Sequence, residues 1–163
     1  MTPTPTHGAV RALYEAERGP LWRALLAWSG SRDVADEAVA EAFAQLLRRG
    51  GAVRDPKAWV WRAAFKVAAG DLQRRRARAT VPLEGIEPTP PEPLSVEAVD
   101  LVRSLRCLSE QQRACVALVL VADRPATEAA RILGTSPATV RVQIMRARAR
   151  LRHELRDQEE SHG

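Results

Sequence analysis

The stretch Ala126-Thr-Glu-Ala-Ala-Arg-Ile-Leu-Gly-Thr-Ser-Pro-Ala-Thr-Val-Arg-Val-Gln-Ile-Met-Arg146 decides how the chain folds. At helical spacing Ala126, Ala129, Ala130 and Leu133 share one face, and alanines there let a second helix approach closely. Gly134 supplies the positive φ that ends a helix abruptly. Ser136 is a helix N-cap and Pro137 fits the first helical position, where a missing N–H costs nothing. Val140 and Ile144 then point back at the first helix. The spacing predicts a helix-turn-helix over 126–133 and 136–156, its second helix free to enter a major groove. An ordinary helical hairpin is the plainer alternative.

The outward face of that helix favours the DNA-binding alternative. Thr139, Arg141, Gln143, Arg146, Arg148, Arg150 and Arg152 lie along it. Between 136 and 156 there are six arginines and one acid, Glu154, whereas a merely solvated face mixes signs. Side chains near the start of a recognition helix reach base edges. Arg141 has the geometry to read guanine bidentately and Gln143 to read adenine. The later arginines suit phosphates.

Upstream, helices are predicted over 95–106 and over 109–122, the latter opened by Ser109 and Glu110. Arg124-Pro125 separates the latter from the helix-turn-helix. Before these lies Thr80-Val-Pro-Leu-Glu-Gly-Ile-Glu-Pro-Thr-Pro-Pro-Glu-Pro-Leu94, with five of the chain's eleven prolines. Proline sustains neither helix nor sheet pairing, so this is expected to be an extended linker. The N-terminal part reads as three helices. The first, 9–28, is anchored by Leu13, Leu21, Leu25 and Trp28. The second, to Arg49, is capped by Asp33, with Val39, Phe43, Leu46 and Leu47 inward and Asp36, Glu37 and Glu41 outward. The third is opened by Asp55-Pro56 and runs to about Arg76. Trp59, Ala63 and Val67 form its apolar stripe, widened by Trp61, Ala64, Phe65, Ala68 and Leu72. No period-2 alternation predicts a strand. Both ends, 1–6 and 157–163, lack periodicity and are expected to fray.

Charge follows the same division. The chain of 163 residues carries a formal +5 and a pI near 10.2, and only Lys57 and Lys66 among its 25 basic residues are lysine. Arg74, Arg75, Arg76 and Arg78 end the third helix; alone they suit a solvated helix terminus. Arg48, Arg49, Arg54, Lys57, Arg62 and Lys66 enlarge them to a basic patch that includes Trp59 and Trp61. Aromatics on such a patch can stack on unpaired bases, or they can be core, the plainer assignment for Trp59. Cys107 and Cys115 make neither a metal quartet nor a disulfide framework, and Cys115 sits in an apolar run as a buried thiol. No apolar run reaches the ~18 residues that span a bilayer, and Met1–Thr6 lacks the make-up of a signal peptide, so a cytoplasmic protein is expected. His7, His153 and His162 form no constellation with acids or Cys115, and no phosphate loop or metal spacing exists. An enzyme, a cofactor and a metal are therefore not expected.

Two strings together carry a resemblance. Asp33-Val-Ala-Asp-Glu-Ala-Val-Ala-Glu-Ala-Phe43 with Pro56-Lys-Ala-Trp-Val-Trp-Arg-Ala-Ala-Phe65 is the first. Leu105-Arg-Cys-Leu-Ser-Glu-Gln-Gln-Arg113, the helix-turn-helix and Arg146-Ala-Arg-Ala-Arg-Leu-Arg152 make the second. In this order they resemble the extracytoplasmic-function (ECF) group of the sigma-70 family over about 10–77 and 98–155. The resemblance implies an all-α chain: a three-helix region 2 domain over 7–78, a flexible linker over 79–95 and a region 4 helix-turn-helix domain over 96–156. It implies that region 2 binds the β′ clamp helices of core RNA polymerase through Asp36, Glu37 and Glu41. It also implies that this domain meets the melting −10 strand through Arg48, Arg49, Arg54, Lys57, Trp61, Arg62, Lys66, Arg74 and Arg75. Region 4 would touch the β flap and read the −35 element with Ser136, Thr139, Arg141, Val142, Gln143 and Arg146. An anti-sigma factor is a further implied partner. The chain departs from the usual pattern at Ala38, Ala40, Arg124-Pro-Ala126 and Val142, positions that bear on polymerase affinity and promoter sequence. Two rivals remain: a decoy that only sequesters an anti-sigma factor, and a helix-turn-helix regulator acting without polymerase.

Overall fold

A computed structural model describes residues 7–79 and 94–163. All regular structure among these residues is helical: α1 (His7–Ser29), α2 (Arg32–Arg49), a 3-10 turn (Gly50–Ala52), α3 (Pro56–Ala79), α4 (Val96–Leu105), α5 (Glu110–Val116) continued by a π-helical turn (Ala117–Val121), α6 (Ala126–Leu133) and α7 (Pro137–Ser161). The proline-rich stretch 80–93 and the Thr-Pro start 1–6 lie outside the described residues.

Caps explain most boundaries. Gly30, at φ 68°, closes α1, and its N–H donates to Leu26 O at 2.8 Å. The cap of α2 is Ser31, whose Oγ accepts from Val34 N–H, rather than the expected Asp33, which lies in the first turn. Asp55 accepts from Ala58 N–H at 3.1 Å and starts α3, as the Asp-Pro pair predicts. Ser95 and Ser109 cap α4 and α5, the latter in a reciprocal capping box with Gln112. The predicted helix 109–122 is real but not uniform, because its second half widens to π geometry. Helix α7 continues to Ser161, past the expected end at 156. Pairs one turn apart, Arg150–Glu154 at 2.9 Å and His153–Asp157 at 3.0 Å, extend it through the polar tail.

In the first unit α2 packs on both α1 and α3. Ala24, Ala27, Ala35, Ala38, Ala42, Ala64 and Ala68 are buried between the helices, where small side chains allow close approach. Leu21, Leu25, Leu26, Val34 and Leu46 fill the remaining space. Trp28 stacks on Phe65 with centroids 5.2 Å apart, and Tyr14 meets Phe43 edge-on at 5.0 Å. Leu47 departs from expectation: it is 50% exposed, because residue 46 already fills the inward position and its neighbour turns 100° away. In the second unit α5 and α6 pack on α7 around Leu118, Ala129, Ala130, Val140, Ile144 and Ala147. The buried thiol of Cys115 lies in this core, and burial pushes it up from its ordinary pKa.

The two units are also packed together. Helix α1 contacts α4, α5 and the π-helical turn, and α3 contacts α6, so one apolar core runs through both. No helix among the described residues is long and apolar enough to cross a membrane.

Candidate nucleic-acid interface

Gly134 ends α6 in the left-handed region, φ 68° and ψ 37°, and its N–H returns to Ala130 O. A β-carbon there would touch nothing within 4 Å, so glycine is required by the backbone angle and not by crowding. Ser136 Oγ accepts from Thr139 N–H at 3.1 Å, and the two hydroxyls lie 2.8 Å apart. This cap fixes the first turn of α7. Val140 is fully buried against α6, so the following residues Arg141 and Val142 are turned outward. Arg146 is exposed one turn later and Thr139 is half-buried. Gln143 donates to Gln111 Oε1 of α5 at 3.3 Å. The −35 residues expected from sequence thus lie together on the start of α7, and Gln111 is a neighbour that sequence reasoning missed. Arg141 itself lines a groove of about 400 Å³ bordered by α7 and α6, with Val119, Ala126, Ile144, Met145, Arg148, Ala149 and Arg152.

The basic patch of the first unit divides in two. Arg49, Trp59, Arg62, Lys66 and Gln45 line an open groove of about 370 Å³ between α2 and α3. The Arg49 guanidinium stands 5.7 Å from the Trp59 ring centroid. Trp59, favoured as core from sequence, packs against the core and also borders this basic groove, and an aromatic wall among cations is suited to an unpaired base. Arg54 is exposed in the loop before α3. Arg48 pairs with Glu41 at 2.9 Å. Arg74 and Arg75 are held along α3 by Asp71, and Arg75 also reaches Glu37 at 3.8 Å.

The second part of the patch is covered. Trp61 is only 1% exposed, and its Nε1–H donates to Glu17 Oε2 at 3.0 Å. Arg124, from the turn before α6, lies over the Trp61 ring at 4.2 Å and donates to the same Glu17 oxygen at 2.7 Å. Lys57 pairs with Glu17 Oε1 at 3.3 Å. Burial pushes the Glu17 pKa up, but the Trp61 N–H, Arg124 and Lys57 outweigh it and hold the carboxyl below its ordinary value. Glu17 and Arg124 were both missed from sequence. The signal was present: Glu17 falls midway between Leu13 and Leu21 on one helical stripe, an acid among apolar anchors.

The acidic face is on α2. Asp36 is exposed, accepts from Trp22 Nε1–H at 2.7 Å and lies 3.8 Å from Arg32. Glu37 is exposed; burial and the neighbouring carboxylate of Asp71 raise its pKa. Hydrogen bonds from Gln45 and Arg48 lower that of Glu41. All three carboxylates lie on the outward side of α2, while Ala38, the buried member of the two sequence departures there, faces the core. Among the described residues, no three His, Cys, Asp or Glu side chains gather as for a metal ion.

A family model of sigma-70 region 4 matches residues 98–151. The ECF RNA polymerase sigma factor SigM of Mycobacterium tuberculosis, in strains Erdman and H37Rv, is 32% identical over 143 residues, covering 85% of this chain and 73% of SigM. Among solved structures, CnrH in complex with the cytosolic domain of CnrY superposes with a TM-score of 0.72 at 22% identity, over 93% of this chain and 90% of that one. The sigma factor RpoE of Bartonella quintana, in complex with the anti-sigma factor NepR, gives 0.72 at 20% identity, over 90% of this chain and 96% of that one. Both likenesses are of fold.

Proposed function

The chain belongs to the extracytoplasmic-function sigma factors, and we propose that it binds core RNA polymerase and directs initiation by reading −35 and −10 promoter elements. One observation carries the reading: Val140 is buried against α6 while Arg141, Val142 and Arg146 project from the start of α7. With Ser136, Thr139 and Gln143 they make the −35 reader, and the trailing arginines hold phosphates. The −10 strand is met by Arg48, Arg49, Arg54, Lys57, Arg62, Lys66, Arg74 and Arg75, with Trp59 added by its place in the groove; Trp61, expected there from sequence, is buried beneath Arg124 and is withdrawn from the set. Asp36, Glu37 and Glu41 face the β′ clamp, and the second unit touches the β flap. The domain roles follow: 7–78 for clamp and −10 binding, 79–95 as connector, 96–156 for the −35 element. This is binding work and not covalent catalysis, done in the cytoplasm where the chromosome lies. An anti-sigma factor is the natural regulatory partner, as NepR is for RpoE.

Run-off transcription with core polymerase and this chain on genomic DNA is the direct test. Initiation at defined sites is expected; absence of any start site would refute the reading. Arg141→Ala is expected to weaken specific promoter binding by about 1–3 kcal/mol and relax choice at one −35 position. Unchanged promoter selection would remove Arg141 from the −35 contact. Glu41→Lys places a cation where a carboxylate stood and is expected to weaken holoenzyme assembly roughly tenfold or more. Normal assembly in a pull-down with core enzyme would move the polymerase contact off this face of α2.

A further inference from the structure

We propose that Gln111 is a positioning residue for the −35 reader: it holds the Gln143 amide with its oxygen outward, and so makes one base pair of that element selective for adenine over guanine. This role rests on the promoter reading given above and sharpens it at one side chain.

Local structure brings the two amides together. Ser109 Oγ accepts from Gln112 N–H at 3.2 Å, and Gln112 Oε1 accepts from Ser109 N–H at 3.1 Å. This reciprocal box fixes the first turn of α5 and occupies the Gln112 side chain. Gln111, beside it, lies one turn before the buried Ala114 and Cys115. It therefore stands at the edge of the buried face of α5, the helix that packs on α7. Gln143 holds a matching edge position. It falls between Val140 and Ala147 along α7, both buried, and is itself half-buried while Arg141 and Val142 are exposed. The two side chains meet with Gln143 Nε2 donating to Gln111 Oε1 at 3.3 Å.

That bond leaves a defined pair of groups for a base. A primary amide has one acceptor oxygen and two N–H donors, and Gln111 takes one donor. The second N–H and the oxygen of Gln143 remain. In the major groove adenine presents the N7 acceptor beside the N6 donor, which matches them. Guanine presents two acceptors, N7 and O6, and would meet the outward oxygen with an oxygen. An amide without a partner can turn over and offer both N–H groups to guanine. Beside Gln111, turning Gln143 alone sets oxygen against oxygen, so reversal requires both amides to turn at once. Gln111 thus acts in two ways: it reduces the freedom that Gln143 loses on binding, and it discourages the wrong base.

Run-off transcription tests this, with holoenzyme assembled from core polymerase and the full chain. The templates carry each of the four base pairs in turn at every −35 position of one promoter. Gln143→Ala is expected to flatten the preference at one position, which identifies the base pair that Gln143 reads. At that position Gln111→Ala is expected to lower the ratio of adenine to guanine templates roughly threefold to tenfold, the effect of releasing one flexible side chain. Ratios at the other positions and the melting temperature should stay as in the wild type, because Gln111 is exposed. Gln111→Glu is the rescue variant. A carboxylate only accepts, so it still draws the Gln143 N–H inward and should keep the adenine preference, even if its charge near phosphates lowers the yield on every template. With Gln143→Ala already present, adding Gln111→Ala should change the ratio no further.

An unchanged ratio in Gln111→Ala would overturn the positioning role, as would loss of the preference in Gln111→Glu. A further loss in the Gln143→Ala background, or an equal loss on all templates, would make Gln111 a DNA contact in its own right and overturn it too. So would a Gln143→Ala chain that keeps every preference. None of these results touches initiation by the wild-type holoenzyme; a wild type that initiates nowhere overturns the promoter reading, and this role with it.

Discussion

Trp61→Ala lowers the stability of the folded chain by about 3–5 kcal/mol, the expected cost of emptying a buried indole site. The side chain is 1% exposed, the largest of the fully buried ones. Its removal takes away apolar contact on α3, the Nε1–H donated to Glu17 and the ring beneath Arg124. The last two losses leave a carboxylate and a guanidinium partly desolvated with fewer partners, so the upper half of the range is the better expectation. For a chain of this size the melting temperature should fall by roughly 10–15 °C. Trp61→Phe keeps a ring under Arg124 and forfeits the N–H, and should cost about 1–2 kcal/mol. Thermal unfolding followed by circular dichroism checks both. An alanine variant that melts with the wild type would place Trp61 at the surface, as a free base-stacking residue.

Trp61 also marks the limit of what the sequence could tell. The helices were legible because their punctuation is local. Asp55-Pro56, Gly134 and Ser136-Pro137 act within one turn, and the backbone obeys them. The exposed arginine face of α7 was legible because Val140, Ile144 and Ala147 fix its opposite side by periodicity alone. The two tryptophans of α3 were not legible, since a pattern places a residue on a helix face without naming what lies against that face. Trp59 was favoured as core and does pack against it, but its place on the open groove was not foreseen; Trp61 was a candidate base contact and is sealed by a residue 63 positions away. Arg124 stood out in the sequence only as a departure at the start of the region 4 turn. Its partner lies 107 residues earlier, across a joint between units that no local signal encodes. Leu47 shows a lesser version of the same limit. Two leucines in a row satisfy an apolar pattern equally, and packing chose Leu46.

Val140→Asp is expected to be as damaging as Trp61→Ala, for a different reason. Val140 is fully buried on the side of α7 that packs on α5 and α6, with Ala129 and Ala130 of α6 also out of solvent. Those alanines offer methyl groups and no donors. An aspartate there either stays charged in an apolar joint or takes up a proton, and an uncompensated buried charge costs about 3–5 kcal/mol. Val140→Ala, by contrast, removes two methyl groups for about 2 kcal/mol and leaves the joint apolar. Val140→Asp should therefore loosen α6 from α7 and abolish specific promoter binding, whereas Val140→Ala should melt earlier yet still select the same promoter. The comparison with Arg141→Ala is the sharper one. Adjacent residues on a helix point 100° apart, so Val140 faces the core and Arg141 faces outward, where the −35 contact is proposed. Arg141→Ala should lose promoter discrimination with an unchanged melting temperature; Val140→Asp should lose both together. If Val140→Asp instead kept its melting temperature and only altered promoter choice, residue 140 would belong to the reading face and α7 would be rotated from the placement described. Stability lost at one position and recognition lost at the next is the behaviour expected if a single helix turn both closes a core and, as proposed, reads a base pair.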